Sequence, residues 1–398
     1  MKNLVCEKIG IKERDNQQIR KLKSPVLIFQ QIVPAYRVPV FREMSARLKT
    51  ILCHSTENKS SKICSAANTI DFPNEILFNK DNFGTNQKVK EVLKKYRPKV
   101  VIAGVAASNF TFLKLLLLRK KFKYKLIAWG HVIHNKEIRN PLAGKRGKLM
   151  RYYLKKADAI VFYCDKRRKI LSQTFPQLRD KCFVAHNTLD LSENRALFEK
   201  LEKQGKEKVK ANIKGNFTAQ YNIIFVGRLL PDKGIQLLLD AHSIAAQQLN
   251  VNLHIVGTGD MESTIKEHKL YNSKVFHYGA IYEEQINAYF LYVSDLFVMP
   301  GYVGLSVIHA FSYGLPVITC KTANEGPFHS PEIENVKHTY NGFLCESNAN
   351  DLANTIINAL QDSDLQLMSK NAVKTAYTDC SLNNMLMGFR KAIDYVQQ

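Results

Sequence analysis

Two successive series of apolar runs, each interrupted by helix-type segments, constrain the fold of this 398-residue chain more than any other feature. In the first half, residues 25–33, 99–104 and 125–129 form nearly continuous apolar runs rather than alternating ones. The second half restarts the pattern at residues 222–226 and 251–256. Strands that are apolar on both faces belong in parallel sheets with helices on both sides. The sequence therefore predicts an α/β protein with two Rossmann-like βαβ domains.

The domain boundaries follow from this restart and from a polar, Lys- and Glu-rich stretch between the two series. That stretch is typical of a connector with some helix in it. The predicted parts are an N-terminal extension at 1–23, a first domain at 24–190, a connector at 191–218, a second domain at 219–380, and a C-terminal helix at 381–398.

One apolar run, residues 100–118, is nearly long enough to span a bilayer. It is interrupted by Gly104 and carries Lys114, and a Lys at the centre of a span costs roughly 2.5–3.5 kcal/mol. A strand, a polar turn and a helix explain the run better than a membrane span. The N-terminus has no long apolar segment, so we expect no signal peptide.

The eight cysteines include no C-x-x-C pair, which argues against a zinc site and for buried thiols in a reducing compartment. The pair Asp362 and Asp364 has the spacing of a metal-binding D-x-D but lies in a late helical region, where capping or surface exposure is expected. We therefore expect no metal site.

Charge divides the chain into a basic half and a slightly acidic half. Residues 1–210 carry 46 Lys and Arg against 18 Asp and Glu, whereas residues 211–398 carry 12 against 17. Such a basic half indicates a polyanionic partner, which could be nucleic acid, anionic lipid headgroups or a diphosphate-bearing substrate. Two segments, 110–125 and the basic run 166–169, are candidates for contact with lipid, although the first is more typical of a helix packed on its sheet.

The strongest motif is F-V-G-R-L-L-P-D-K-G at residues 225–234. A strand ends in it, Gly227 permits close backbone approach, and Arg228 and Lys233 supply two cations before a helix. Arg can grip two oxygens at once, and a helix N-terminus adds N–H donors. This arrangement predicts a site for a diphosphate.

Further glycine-punctuated loops follow other strands of the second half. The segment 299–319 runs from strand to loop to helix, so the N–H groups of Gly304, Leu305 and Ser306 could face a phosphate, with His309 one turn further on. Gly257 lies in a G-T-G loop. Backbone groups after the next strand could read the edge of a base; the residues concerned are Gly279, Ala280 and Ile281.

In order and spacing, these motifs resemble the second half of family 4 glycosyltransferases of the GT-B fold, whose pattern is G-R-x4-K-G, then G-x-G, then E-G-F-G-L-x3-E-A. The resemblance extends over residues 223–344. In the first half, the loop from Tyr36 and Arg37, the strand end at His131, and residues 184–190 look like family counterparts. The resemblance implies the GT-B arrangement, in which two Rossmann-like domains face each other across a cleft and the C-terminal helix at 381–398 crosses back to the first domain. It also implies a retaining transferase that takes a nucleotide sugar, a UDP-sugar or alternatively a GDP-sugar, and needs neither metal nor cofactor.

The chain departs from the family pattern at two positions. The two family glutamates, eight residues apart, fall on Gly301 and His309. By resemblance the first would hold the donor sugar and the second the ribose. An imidazole can still bond a ribose hydroxyl, but Gly301 offers no side chain, and Glu325 or Glu332 would have to compensate.

The resemblance also suggests roles for residues outside the glycine loops. His131 is expected beside the reacting sugar, Arg228 and Lys233 would stabilise the leaving phosphate, and Tyr36 and Arg37 would face the acceptor. The basic first half fits a glycan or lipid-linked acceptor at an anionic membrane surface, so we expect a cytoplasmic protein, peripheral on the inner face of the plasma membrane, that acts in bacterial surface polysaccharide or glycolipid synthesis.

Two rival classes remain open. Another GT-B enzyme, an epimerase or a phosphorylase, would need catalytic carboxylates or a pyridoxal-bearing lysine, and no clear candidate is present. A nucleic-acid-binding protein would rest on charge alone, because no recognisable reading motif occurs. No nucleic-acid partner is expected.

Overall fold

The computed structural model describes residues 24–55, 66–78, 86–133, 140–213, 215–323 and 326–398. The predicted N-terminal extension 1–23 and the alternative carboxylate Glu325 lie outside these residues. The described chain divides into two compact units. The first unit contains the described residues up to Asp190 together with Leu382–Gln398, and the second contains Leu191–Ser381.

The first unit is built on a seven-stranded parallel sheet with the strand order β3-β2-β1-β4-β5-β6-β7. Buried Val, Ile, Leu and Ala dominate its central strands, as expected for a sheet covered on both faces. The strands are β1 Val26–Phe29, β2 Thr50–Ser55, β3 Asn74–Phe78, β4 Val100–Gly104, β5 Lys125–Gly130, β6 Ala159–Phe162 and β7 Cys182–Val184.

The connections of this sheet are helical. The α-helices are α1 Val38–Leu48, α2 Asn86–Tyr96, α3 Phe110–Phe122, α4 Gly144–Lys156 and α5 Asp165–Thr174. The Asn109 side chain caps α3 by accepting from Phe112 N and ties it to β4 by donating to Gly104 O at 2.6 Å. The apolar run 100–118 is therefore strand, turn and helix, as predicted. No helix in the described part of the chain is long and apolar enough to cross a membrane.

The second unit is built on a six-stranded parallel sheet with the order β10-β9-β8-β11-β12-β13. Its strands are β8 Tyr221–Val226, β9 Val251–Val256, β10 Val275–His277, β11 Leu296–Val298, β12 Val317–Cys320 and β13 Gly342–Cys345. Its helices are α6 Ser192–Gln204, α7 Lys206–Asn212, α8 Ile235–Gln248, α9 Glu262–Lys266, α10 Glu284–Val293, α11 Ser306–Ser312, α12 Ala349–Asp362 and α13 Leu365–Lys374.

The last helix, α14 Leu382–Gln397, packs on the sheet of the first unit. Phe389 meets Trp129 edge-on, with ring centroids 5.0 Å apart. Gly388 lies so close to the backbone of β7 that a Cβ there would be 2.1 Å from Val184 O. The end of the chain thus completes the core of the unit that contains the beginning of the described chain.

Both sheets have the doubly wound strand order, with a switch point between the first and fourth strands of each. The prediction of two Rossmann-like α/β domains is confirmed. Ligands of such sheets bind outside the carboxyl ends of the strands near the switch point. In the two units these positions lie after β1 and β4, and after β8 and β11.

Candidate functional site

The loop after β8 carries the predicted diphosphate motif. Gly227 donates to Val256 O at 3.0 Å, which anchors the loop to the end of β9. Arg228 is exposed, and a short 3-10 turn, Pro231–Lys233, leads into α8. Gly234 joins the two in the left-handed region at φ 74°, which a glycine adopts without strain. The sequence therefore places both cations at the switch point of the second sheet.

Lys233 is half-buried and faces the end of β11. Its Nζ donates to Tyr302 O at 2.6 Å and lies 4.6 Å from the centroid of the Tyr302 ring. Burial lowers the pKa of Lys233, although the neighbouring Asp232 opposes the effect. No carboxylate in the described part of the chain lies within ion-pair distance of Lys233, so its charge is available to an anion.

Gly301 packs directly against this loop. Its N–H donates to Lys233 O at 3.0 Å, and Tyr302 N donates to Asp232 O at 2.7 Å. A Cβ at position 301 would lie 2.2 Å from Asp232 O. The position that matches the first family glutamate therefore cannot hold any side chain in this structure; it serves to join the diphosphate loop to β11.

The G-T-G loop after β9 lies against the diphosphate loop. A Cβ on Gly257 would lie 1.9 Å from Gly227 O, so these backbones are in direct contact. Gly257 N also donates to Gly279 O at 2.7 Å, which brings the loop after β10 into the same layer. Asn287 fixes that loop by donating to Ile281 O at 3.0 Å, and Ala280 lies within it.

The loop after β11 ends at α11. Within the described residues, the backbone N–H groups of Gly304 and Leu305 donate to no protein acceptor. Ser306 begins the helix, and its hydroxyl lies 3.7 Å from Met299 Sδ. His309 follows one turn later on the same helix. The sequence predicted this strand, loop and helix correctly.

A residue that the sequence did not single out, Glu284, organises the surroundings of His309. Its Oε1 accepts from Asn194 Nδ2 at 2.7 Å and from Tyr313 OH at 2.6 Å, and lies 2.7 Å from His309 Nε2. Burial raises the pKa of Glu284, but the hydrogen bonds from His309 and Tyr313 outweigh it, and the net pKa is lowered. His309 is thus paired with a carboxylate supplied by α10.

The other alternative carboxylate, Glu332, lies in the 3-10 turn Pro331–Asn335 and is almost fully buried, with 1% of it exposed. It packs beside α11. Because its buried carboxylate lies close to the loop after β11, Glu332 remains a candidate to replace the side chain missing at Gly301.

The first unit brings together the residues predicted for the acceptor side. Tyr36 and Arg37 follow β1, and His131 follows β5. The Arg37 guanidinium lies 5.3 Å from the Trp129 ring and 5.1 Å from the Tyr163 ring. His131 is exposed, and its ring centroid lies 4.8 Å from that of Tyr163.

The basic run 166–169 does not form one exposed cluster. Arg167 is only 6% exposed, and its Nη1 lies 2.5 Å from His131 Nδ1. Arg168 and Lys169 both pair with Asp165 at 2.7 Å. The prediction that this run offers four charges to a lipid surface is therefore wrong for Arg167 and weakened for its two paired neighbours.

No group of three or more His, Cys, Asp or Glu side chains that could hold a metal ion occurs within the described residues. The D-x-D pair has a structural role at a helix boundary. Asp362 ends α12, and Asp364 caps α13 by accepting from Leu367 N at 2.9 Å. The prediction of capping is confirmed for Asp364.

Two doubly wound units, one of which carries a cationic loop and three glycine turns at its switch point, define the GT-B class of fold. Residues 206–377 match the family described as Glycosyl transferases group 1. An uncharacterized glycosyltransferase of Methanocaldococcus jannaschii is 27% identical over 253 residues, which cover 59% of this chain and 59% of the relative. The match shows that this region, which is less than half of the chain, resembles the group 1 glycosyl transferases, and the chain spans about three fifths of the length of this relative.

Solved structures agree with the fold. Anabaena HepE in complex with UDP matches with a TM-score of 0.66 at 17% identity, covering 93% of this chain and 99% of HepE. The lipopolysaccharide outer core galactosyltransferase WaaB matches with a TM-score of 0.64 at 14% identity, with the same coverage. At these identities the likeness establishes the fold alone.

Proposed function

We propose that this protein is a glycosyltransferase that moves a sugar, with retention of its anomeric configuration, from a UDP-sugar to a glycan or lipid-linked acceptor in bacterial surface polysaccharide or glycolipid synthesis. The observation that carries the proposal is the loop of Arg228 and Lys233, held against Gly301 at the switch point of the second sheet. The UDP in the HepE structure and the lipopolysaccharide substrate class of WaaB support the choice of nucleotide and acceptor.

In this proposal the diphosphate of the donor lies against Arg228 and Lys233. The bond between the sugar carbon and the phosphate oxygen breaks on the face where the acceptor oxygen bonds, and the leaving phosphate takes the acceptor's proton. Negative charge grows on that phosphate, so two preorganised cations stabilise the transition state more than the bound substrate. His131, whose Nδ1 accepts from Arg167, would present Nε2–H to the sugar or its phosphate.

The ribose would contact His309. Because Glu284 fixes the imidazole, the pair offers a charge-assisted hydrogen-bonding unit in place of the family glutamate. The glycine turns would let the backbone approach the phosphates and the base; the residues concerned are Gly227, Gly257, Gly279, Ala280, Ile281, Gly304, Leu305 and Ser306.

The test is replacement of the cations after a thermal-shift screen has found the donor. Arg228→Ala or Lys233→Ala should lower turnover by roughly 10²–10³, because each removes a charge-assisted contact that strengthens in the transition state. Lys370→Ala, which changes an exposed lysine on α13 of the same unit, is the matched control and should keep the wild-type rate. Near-normal rates in both loop variants would refute the proposal.

We also propose that the protein is cytoplasmic and binds the inner membrane face through the surface of α3 and α4, which pack against each other. These two helices carry ten Lys or Arg and no Asp or Glu. Large apolar side chains are exposed among these charges; they are Phe110, Leu117, Leu149 and Tyr152. Basic charge with exposed aromatic and aliphatic groups is typical of an interfacial helix.

Flotation with phosphatidylglycerol-containing vesicles tests the membrane proposal. Each Lys near an anionic surface contributes about 1 kcal/mol, so the double variant Lys120→Glu/Lys148→Glu should weaken vesicle binding at least about 30-fold. The control Lys203→Glu/Lys370→Glu reverses two exposed lysines of the second unit and should bind as the wild type does. Equal loss in both variants, or no binding at low salt, would contradict the proposed surface.

A further inference from the structure

Arg37, at the end of the 3-10 turn Ala35–Arg37 that follows β1, carries a buried charge without an acidic partner among the described residues. Only 7% of the residue is exposed, and no carboxylate in the described part of the chain pairs with it. Its Nη2 donates to the neutral Asn187 Oδ1 at 2.8 Å. Buried charges are normally paired, because removing an ion from water is costly.

Three aromatic rings surround the guanidinium and form what we call the aromatic cage. The distances from Arg37 Cζ to the ring centroids are 5.9 Å for Tyr36, 5.3 Å for Trp129 and 5.1 Å for Tyr163. Aromatic faces stabilise a desolvated cation through the negative potential over the ring. They leave its donors unused, however, and Arg37 Nη1 is buried with no hydrogen-bond partner among the described residues.

A second buried arginine, on α5, contacts a histidine that packs beside the aromatic cage. Arg167 is 6% exposed and lies against His131. The His131 ring in turn packs on Tyr163, which is one ring of the aromatic cage. Tyr163 therefore touches both the Arg37 guanidinium and the imidazole that Arg167 contacts. Arg37 follows β1 and Arg167 follows β6, so the elements that carry the two arginines both begin at the carboxyl edge of the first sheet.

A purely structural role does not account for this arrangement. The Nη2 bond to the Asn187 side chain joins two loops, but within the described residues Nη1 donates to no carbonyl or carboxylate. A buried donor left open beside a ligand-binding edge is explained by a group that arrives with the ligand. The guanidinium fork matches phosphate and carboxylate oxygens.

We infer that Arg37 and Arg167 form a binding site for the anionic group of a substrate, a phosphate or a carboxylate, at the carboxyl edge of the first sheet. Tyr36, 42% exposed, is the ring of the cage that solvent reaches, and it marks the side of entry. The inference deepens the proposed function, because the anion would belong either to an acidic acceptor or to the diphosphate of the donor.

The chain contains a single tryptophan, Trp129, which lies in the cage and reports on it. We would follow its fluorescence while titrating the full chain with sodium pyrophosphate and, separately, with glucuronate. Saturable changes are expected, and in Arg37→Gln the apparent affinity should fall at least tenfold. Arg42→Gln removes an exposed arginine of α1 that pairs with Asp71, and it should titrate as the wild type does.

Two further arms identify the source of the anion. If it is the donor diphosphate, Arg37→Gln weakens UDP binding as Arg228→Ala does. If it belongs to the acceptor, UDP binding is unchanged in Arg37→Gln, whereas the KM for the acceptor rises. In the acceptor case the pyrophosphate response should persist in Arg228→Ala, whereas in the donor case it should weaken in Arg228→Ala as well. Because the response involves no sugar transfer, failure of this site is distinguishable from failure of the proposed function.

Thermal unfolding shows whether the Arg37→Gln variant is folded. If that variant does not fold, the same titrations are done with Arg167→Gln. The inference is overturned if neither anion changes the emission of the wild type, or if the folded Arg37 or Arg167 variant responds with wild-type affinity. Partial recovery in Arg37→Lys, which keeps the charge without the fork, would further support an anion site.

Discussion

Acidification from pH 7.5 to 5.5 should destabilise the second unit through two buried histidines. Asn222 Oδ1 can only accept, so His254 Nε2 donates to it at 3.1 Å and Nδ1 accepts from Tyr278 OH at 3.0 Å. His242 Nε2 donates to Val251 O at 3.1 Å. Burial lowers the pKa of His254 to about 3 and that of His242 to about 4, so both rings are neutral when folded.

The size of the effect follows from linkage. In the unfolded chain both histidines titrate near a pKa of 6.5, so below that pH the unfolded state binds more protons and gains free energy. The stabilisation is complete above pH 6.5 and is lost progressively as the pH falls toward the folded values. At pH 5.5 the loss is about 1.4 kcal/mol for each histidine, or roughly 3 kcal/mol for both. For a unit of this size, each kcal/mol shifts Tm by roughly 2–4 °C.

Scanning calorimetry of the full chain at pH 7.5, 6.5 and 5.5 measures this loss. His254→Gln should unfold at a lower temperature at every pH, but its pH-dependent loss should be about half that of the wild type. His338→Gln, which changes an exposed histidine of the same unit, should retain the whole pH dependence. A flat stability between pH 7.5 and 5.5, or an undiminished slope in His254→Gln, would refute the reasoning.

Three further outcomes are expected. Gly301→Ala should abolish UDP binding in a calorimetric titration while the chain stays folded by circular dichroism, because its Cβ would force the diphosphate loop off β11; wild-type affinity would contradict the packing described. Glu284→Gln should weaken UDP about tenfold, since a charged partner of His309 becomes a neutral one, and an unchanged Kd would remove Glu284 from the site. Transfer should survive exhaustive EDTA treatment, and activity restored only by Mn²⁺ or Mg²⁺ would overturn the structural assignment of Asp362 and Asp364.

The elements predicted from sequence are those whose signal is local. Val251–Val256 and Val275–His277 have the bounds that their apolar runs indicate. The sequence missed β2, Thr50–Ser55, although all six residues are buried. Its His54 and Ser55 interrupt the apolar pattern, and His54 is accommodated only because Asn74 of the neighbouring strand lies 3.1 Å from its Nε2. A hydrogen-bond partner 20 residues away along the chain, Asn74, thus allows the polar His54 side chain to be buried in a core strand.

The same distinction applies to the candidate site. Glycine loops and their cations lie next to their own strands, so spacing along the chain located Gly227, Arg228 and Lys233. Glu284 lies 25 residues from His309, and Asn194 lies 90 residues from Glu284. No pattern in one sequence brings three such residues together. Glu284 could have been suspected only as an acidic residue at the start of the helix after the Gly279 loop.

The basic half of the chain shows why counting charges along a sequence gives the wrong surface. The run 166–169 has the highest local density of charge, yet Asp165 precedes it and pairs with two of the four cations. Arg167 is used inside the unit, against His131. In α3 and α4 the charges are more spread along the chain, but no acidic residue lies on either helix, and the two helices pack side by side. An anionic surface interacts with the field of exposed, uncompensated charge. The salt dependence of membrane binding should therefore follow α3 and α4, because in α5 Arg167 is buried against His131 and the charges of Arg168 and Lys169 are paired with Asp165.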